Sequence, residues 1–177
     1  EFTTEGEGRF YRFLEKAAKP DARFLCWYCP DINGREPDFV LFSHQAGLFI
    51  FEVKDWALDQ IQAANQHYFE ISVGGKIERR DNPLHQARGY LEELRNKIKA
   101  DGRFVSKDGM FAGKIGIPIN CGVVFTNIAK HEYLDKGLGA GVAPDRVLFW
   151  DDLHPQSEIC SDGSGQCFLR KLFSMAQ

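Results

Sequence analysis

Two stretches of the chain repeat apolar residues every three or four positions, which is the period of an amphipathic helix. The first is predicted over 5–18, ends at Lys19-Pro20-Asp21, and carries the stripe Phe10, Phe13, Leu14 and Ala17. The second begins at Asp81-Asn82-Pro83, a capping side chain followed by proline at the first helical position, and continues through Leu84, Ala87, Leu91, Leu94 and Ile98. Shorter helices are predicted over 130–136 and 164–176.

Elsewhere the apolar residues alternate with polar ones or run continuously, as they do in β-strands. Strands are expected over 23–28, in both arms of a hairpin between 37 and 54, and over 68–73, 76–80, 117–126 and 146–150. The segment 117–126 is apolar almost throughout, which favours a strand covered on both faces. The pattern weakens over 60–66 and 101–116, where we expect loops, the second of them mobile.

Helices that alternate with a hairpin-bearing sheet predict an α/β or α+β fold with the sheet in the middle. We expect one domain over 1–177, with a core over 5–150 and a C-terminal helix over 164–176. The chain starts with Glu1-Phe2 and not with Met, so we also expect it to be part of a longer protein.

The composition, 44% hydrophobic with fifteen Phe, predicts a globular protein with an aromatic core. No run reaches the ~18 apolar residues of a membrane-spanning helix, and the first residues lack the pattern of a signal peptide. We therefore expect a cytoplasmic protein without a membrane partner. The net charge of −3 argues against simple electrostatic coating of DNA, but it is compatible with an enzyme whose site is acidic.

The cysteines allow two interpretations. One is a zinc or iron–sulfur site in which the pair in Cys26-Trp27-Tyr28-Cys29 is joined by Cys160 and Cys167. The other is a set of packed, reduced thiols, which the predicted strand favours because it places Cys26 and Cys29 on opposite faces.

Three charged residues interrupt the apolar hairpin, namely Asp38, Glu52 and Lys54. Such side chains are rarely buried unless they are paired or bind a metal. The polar turn between the arms is centred on Gln45, which places Asp38 opposite Glu52 on the neighbouring strand. Lys54, two residues beyond Glu52, points to the same face.

Two opposed carboxylates destabilise a sheet unless a positive charge lies between them. A divalent cation would supply that charge, with Asp38, Glu52 and the carbonyl of Val53 as oxygen ligands. Lys54 would then orient a water molecule or offset charge on a phosphate, and the set fits metal-assisted hydrolysis of a phosphodiester. The alternative is an ordinary surface ion pair between Lys54 and one of the carboxylates.

The second long helix adds further candidates. Gln86 and Tyr90 lie four residues apart and share a helical face. The candidates for contacts with nucleic acid around this helix are Arg79, Arg80, Arg88 and His85. Alternatively, Arg88 and Arg95 pair with the neighbouring Glu92 or Glu93.

Pro37-Asp38 followed by Glu52-Val53-Lys54 resembles the PD-(D/E)XK nuclease signature. A longer set of segments between 6 and 98 resembles the NERD domain, the nuclease-related domain found alone or fused to helicases and kinases, mainly in bacteria. The segments are Gly6-Glu7-Gly8, Arg35-Glu36-Pro37-Asp38-Phe39-Val40-Leu41, Gly47-Leu48-Phe49-Ile50-Phe51-Glu52-Val53-Lys54-Asp55-Trp56 and Asn82-Pro83-Leu84-His85-Gln86-Ala87.

The resemblance implies an α/β fold with a restriction-endonuclease-like core, that is, a central mixed β-sheet flanked by α-helices. It implies that Asp38 and Glu52 bind Mg²⁺ or Mn²⁺, that Lys54 assists catalysis and that Glu7 supplements the metal site. Gln86 and Tyr90 fit the QxxxY motif of the RecB-like branch. Glu36 either lines the same site or pairs with Arg35 or Arg79.

Together these features lead us to expect a metal-dependent DNA nuclease acting in DNA processing or repair. DNA is the expected partner, with a fused or associated helicase domain as a second one. The alternative function is a non-cleaving module that docks nucleic acid or a partner domain of a larger helicase- or kinase-type protein.

Overall fold

A mixed sheet of five strands forms the centre of the protein. The structure is a computed structural model that describes residues 2–176, apart from the side chain of Phe111; Glu1, at the start that suggested a longer protein, lies outside the described residues. The strands are β1 (Phe24–Tyr28), β2 (Phe39–Ser43), β3 (Gly47–Lys54), β7 (Ile119–Phe125) and β8 (Val147–Leu148), and they lie side by side in that order. β1, β2 and β3 are antiparallel, whereas β7 and β8 run parallel to β3. The expected central mixed sheet is therefore confirmed.

Helices cover both faces of this sheet. They are α1 (Glu5–Ala17), α2 (Pro83–Asp101), α3 (Lys130–Asp135), α4 (Trp150–Leu153), α5 (Glu158–Ser161) and α6 (Gln166–Met175). The side chain of Thr4 accepts a hydrogen bond from the Glu7 amide at the start of α1, and Asn82 caps α2 ahead of Pro83. The architecture is an α/β fold consistent with a restriction-endonuclease-like core.

The alternation of side chains along β3 separates two cores. Phe49 and Phe51 pack with α1 and α6, in a cluster that also holds Phe10 and Phe168. Ile50 faces the other side, where Leu84, Ala87 and Leu91 of α2 cover the sheet. Since Glu52 and Lys54 have the same parity as Ile50, they lie on the α2 face. The aromatic core expected from the phenylalanine content is confirmed.

A second, separate sheet contains β4 (Ile61–Ala64), β5 (Tyr68–Val73) and β6 (Lys76–Asp81). The hairpin of β5 and β6 was predicted, but the loop expected over 60–66 is wrong because β4 pairs with β5 there. A shift in register between Ile61 and Ala63 breaks the strict alternation that would have identified β4.

Two further boundaries differ from those expected. The strand predicted over 146–150 is reduced to Val147–Leu148, because Phe149 caps a helical turn that begins at Trp150. The C-terminal helix begins at Gln166, after Gly165 in a left-handed conformation.

The segment 101–116, which was expected to be a loop, contains a short 3₁₀ turn and an isolated bridge from Val105 to Ile115. No helix among residues 2–176 is long and apolar enough to cross a membrane.

Candidate active site

The hairpin of β2 and β3 places Asp38 beside Glu52. Ser43 is opposite Gly47 and Phe39 is opposite Phe51, so the turn is centred where the sequence predicted it. Asp38 and Glu52 follow one step beyond the last of these pairs. The Asp38 carboxylate also accepts a hydrogen bond of 2.6 Å from the amide of Val53. The structure therefore brings Asp38 against the strand segment that carries Glu52, Val53 and Lys54.

The Glu52 carboxylate is buried and only half satisfied. Its residue is 4% exposed, and its Oε1 accepts a bond of 2.6 Å from the Lys54 ammonium group. Its Oε2 is the one buried side-chain polar atom in the described part of the chain that has no hydrogen-bond partner. A buried carboxylate oxygen without a partner is costly, so this atom points to a ligand.

Electrostatics around Asp38 lead to the same conclusion. Burial raises the pKa of Asp38 to about 7, and the negative charge of Glu52 adds to the shift. The Val53 amide and Lys54 act in the opposite direction and do not offset it. The two carboxylates thus present more negative charge than their protein neighbours neutralise, which is the condition that a divalent cation would relieve.

The donor set suits a hard cation that keeps part of its hydration. Among residues 2–176, no three His, Cys, Asp or Glu side chains are close enough to hold one ion. The protein ligands would therefore be Asp38, Glu52 and the Val53 carbonyl, with water and substrate oxygens completing the shell, as Mg²⁺ prefers. The same observation means that Cys26 and Cys29 do not form a metal-ligand group with Cys160 and Cys167; all five cysteines are free thiols.

Glu7 reaches this region from the first turn of α1. It is 5% exposed and accepts hydrogen bonds from the Tyr28 hydroxyl (2.5 Å) and the Thr3 amide (3.1 Å). Its charge contributes to the raised pKa of Asp38. A Cβ added at the preceding Gly6 would lie 2.8 Å from the Asp55 side chain, so glycine is required for the helix to come this close to the end of β3.

The helix α2 contributes Tyr90 to the same side of the sheet. Burial raises the pKa of Tyr90, and the charges of Glu52 and Asp38 raise it further. The guanidinium of Arg35 lies over the Tyr90 ring, 5.1 Å from its centre. The sequence pattern indicated no role at the site for Arg35, although Arg35 begins the segment that contains Pro37-Asp38.

Gln86, one turn earlier on α2, lines an open cleft with Lys54. The cleft has a volume of about 640 Å³ and is also lined by Asp55, Trp56, Arg79 and Arg80. Arg79 pairs with Glu70 at 3.1 Å and Arg80 pairs with Glu78 at 2.5 Å. The second sheet thus brings two of the predicted cationic residues to the same cleft as the lysine.

The other cationic candidates lie elsewhere. His85 and Arg88 line a different hollow, together with His67 and the 139–141 turn. Arg95 pairs with Glu92 at 2.5 Å, which is the alternative that the sequence left open. Glu36 is exposed and forms an ion pair with neither Arg35 nor Arg79 among the described residues.

The fold and the site together define the protein as an α/β nuclease-related domain, with a carboxylate pair and a lysine on one hairpin. The sequence model of the NERD family, described as Nuclease-related domain, matches residues 3–126, from the cap of α1 to the end of β7. The chain belongs to this family. No curated protein and no solved structure shows a significant match to it.

Proposed function

We propose that the protein is a metal-dependent nuclease that hydrolyses phosphodiester bonds of DNA. The observation that carries the proposal is the buried, unpartnered Oε2 of Glu52 next to Asp38, whose pKa is raised to about 7. Such a pair is a poor structural element without a cation and a good ligand set with one. Family membership supports the same class of activity.

Each side chain has a role that follows from its position. A bound Mg²⁺ or Mn²⁺ would activate a water molecule and polarise the scissile phosphate. Asp38 and Glu52 lie in a partly dry setting, where the attraction between a carboxylate and a cation is strong. Lys54, whose ammonium group donates to Glu52, would orient the water or neutralise charge on the phosphate.

The residues around the two carboxylates would position Asp38, Glu52 and Lys54. Tyr90, on α2, lies close enough to Asp38 and Glu52 for their charges to raise its pKa. Gln86, on the same face of α2, lines the cleft with Lys54. This placement supports a QxxxY role for the two side chains. Arg79 and Arg80 across the cleft are in a position to contact phosphates of the bound strand.

Cleavage of labelled single- and double-stranded DNA with Mg²⁺ or Mn²⁺ tests the proposal. We expect the parent protein to cleave, and we expect EDTA, Asp38→Ala and Lys54→Ala each to abolish cleavage. Calorimetric titration with Mn²⁺ alone separates the alternatives. Binding without cleavage of any substrate would indicate a site that requires a partner domain, and the absence of both would favour the docking module.

The affinity for a metal ion should increase with pH up to neutrality. Below about 7 the Asp38 carboxyl is mostly protonated and must lose its proton to bind a cation, whereas above about 7 it is already ionised. Mn²⁺ affinity should therefore rise about tenfold per pH unit up to neutrality and then level off. Calorimetry in two buffers of different ionisation enthalpy should detect proton release at pH 6 and little release at pH 8.5; a flat profile would contradict the assignment.

The bond from Tyr28 to Glu7 gives a second prediction. Tyr28→Phe removes the hydroxyl that holds Glu7, and we expect Mn²⁺ affinity to fall by about tenfold, as for other partners of metal-site residues. Tyr11→Phe is the matched control, because both rings pack on Phe2, with centroids at 5.2 and 5.0 Å, but only Tyr28 bonds to Glu7. Equal affinities for the two variants would exclude Glu7 from the site.

A further inference from the structure

A second groove begins next to the candidate active site, on the side of α1. Its volume is about 510 Å³, and it lies between α1 and α4, with Thr126 at one end. The Thr126 amide donates to the Lys54 carbonyl at 3.1 Å, and Asn127 bonds both to Arg9 and to the Asp55 carbonyl. The groove therefore starts at the same carboxyl ends of β3 and β7 where the cleft of Lys54 and Gln86 lies.

One wall of the groove is a row of cations on α1. Arg9, Arg12 and Lys16 have the i, i+3, i+7 spacing of a single helical face, and all three line the groove. Arg9 is held by Glu5 at 2.7 Å and by Asn127. Arg12 and Lys16 are exposed and have no ion pair among residues 2–176, although Glu15 also lines the groove.

Other exposed cations, such as Arg23 and Arg88, also form no ion pair among residues 2–176, so the feature that distinguishes Arg12 and Lys16 is that they are adjacent on one wall of a groove. The exposed arginines 79, 80, 103 and 170 pair with carboxylates, as does the half-buried Arg95, and are therefore already partly neutralised. Arg12 and Lys16 lie about 6 Å apart along the helix axis, a spacing of the same order as that of neighbouring phosphates on a strand. In a chain of net charge −3, two unpaired cations at this spacing match a polyanion.

The opposite wall of the groove is aromatic. Trp150 is 44% exposed and packs against the ring of His154, with the ring centres 5.1 Å apart. Exposed aromatic rings beside a basic track bind bases by stacking, and stacking requires bases that are not paired in a duplex. A groove with cations on one wall and an indole on the other fits a single strand, with its phosphates on α1 and a base on Trp150.

We propose that this groove binds a single-stranded segment of the DNA whose neighbouring phosphate lies at Lys54. The assignment rests on the proposed nuclease function for the position of the scissile phosphate, but strand binding itself does not require cleavage. It identifies the substrate as DNA with a single-stranded flank. The strand crosses the sheet edge at Asp55, between the cleft of Arg79 and Arg80 and the groove of Arg12 and Lys16.

The test measures binding in a protein that cannot cleave. Fluorescence anisotropy follows labelled oligo-dT and a blunt duplex of equal length bound to Asp38→Asn protein in EDTA, with groove substitutions added. Arg12→Ala with Lys16→Ala should weaken oligo-dT binding at least about tenfold and lower the salt slope by about 1.4. Lys97→Ala with Lys107→Ala, which removes two exposed cations outside the groove, should change affinity less than twofold.

The aromatic wall is tested separately. Trp150→Ala should weaken oligo-dT binding about fivefold or more and leave duplex binding unchanged, whereas Trp150→Phe retains a stacking ring and most of the affinity. The proposal is overturned if both pairs of cation variants bind alike, if Trp150→Ala has no effect, or if the duplex binds as tightly as the single strand.

The groove and the nuclease activity can fail independently. If the groove variants lose affinity while the parent protein cleaves no DNA, strand binding by the groove is supported and the proposed nuclease activity is overturned. If the parent cleaves DNA but the groove variants bind normally, the nuclease activity is supported and strand binding by the groove is overturned. If neither the Asp38→Asn protein nor any of its groove variants binds the oligonucleotide, the proposal that the groove binds a strand is overturned.

Discussion

Asp38→Asn should abolish cleavage and, at the same time, stabilise the metal-free protein. The amide of asparagine still offers an oxygen to the Val53 N–H, so the local hydrogen bond is preserved. What is lost is one negative charge of the pair with Glu52. We expect cleavage to fall by about 10³-fold or more, because the charge that holds the cation supplies several kcal/mol of transition-state stabilisation.

The gain in stability follows from the sign of the pKa shift. A carboxyl whose pKa is raised in the folded state, here to about 7, binds its proton more tightly when folded than when unfolded. Its contribution to stability is complete below the ordinary Asp pKa and is lost as pH rises towards about 7. Asparagine does not titrate, so at pH 8 without metal the variant should unfold at least about 2 °C above the parent, and the difference should vanish at pH 4.

The control for this prediction is Asp135→Asn, the same chemical change at an exposed position of α3. It should alter neither cleavage nor the unfolding temperature. Thermal unfolding at pH 4 and pH 8 in EDTA, with cleavage measured in Mg²⁺, tests both halves of the prediction. Loss of activity with an equal loss of stability would mean that Asp38 is a structural residue and not a metal ligand.

The parts of the fold that local pattern controls were predictable from sequence. The α1 stripe, the Asn82-Pro83 cap and the turn centred on Gln45 are each encoded within a few neighbouring residues. The opposition of Asp38 and Glu52 followed from the register of a single hairpin, so it too required only local information.

Features that depend on packing between distant segments were not predictable. The strand β4 (Ile61–Ala64) exists because β5 is beside it, and its bulge hides the alternation. The position of Arg35 over Tyr90 joins the loop before β2 to α2, and no periodicity reports such a contact. Likewise, His85 and Arg88 are close to Gln86 in sequence but face another hollow, because helical neighbours point in different directions.

Gly47→Ala should destabilise the protein more than Gly75→Ala, the same substitution in the turn of another hairpin. Gly47 ends the turn with φ +83°, a conformation that favours glycine, and a Cβ there would lie 2.3 Å from the carbonyl oxygen of Pro118. That carbonyl accepts a bond of 2.9 Å from the Leu48 amide and joins the start of β3 to the start of β7, so the obstacle is backbone and cannot rotate away. We expect a loss of about 3 kcal/mol or more in the free energy of unfolding, measured by urea titration.

Gly75→Ala separates the two causes, because Gly75 has φ +80° in a hairpin turn with nothing within 4 Å of an added Cβ. It should cost only about 1–2 kcal/mol, the backbone part of the effect. The additional loss of stability in Gly47→Ala then measures the close contact with Pro118.

The turn at Gly47 sets which residue of β2 faces Glu52. Gly47→Ala should therefore also weaken Mn²⁺ binding from about 17 Å away along the strand, whereas Gly75→Ala should not. Equal costs for the two variants would mean that the contact with Pro118 does not fix the hairpin, and the register would have to be held by the core side chains of β2 and β3 alone.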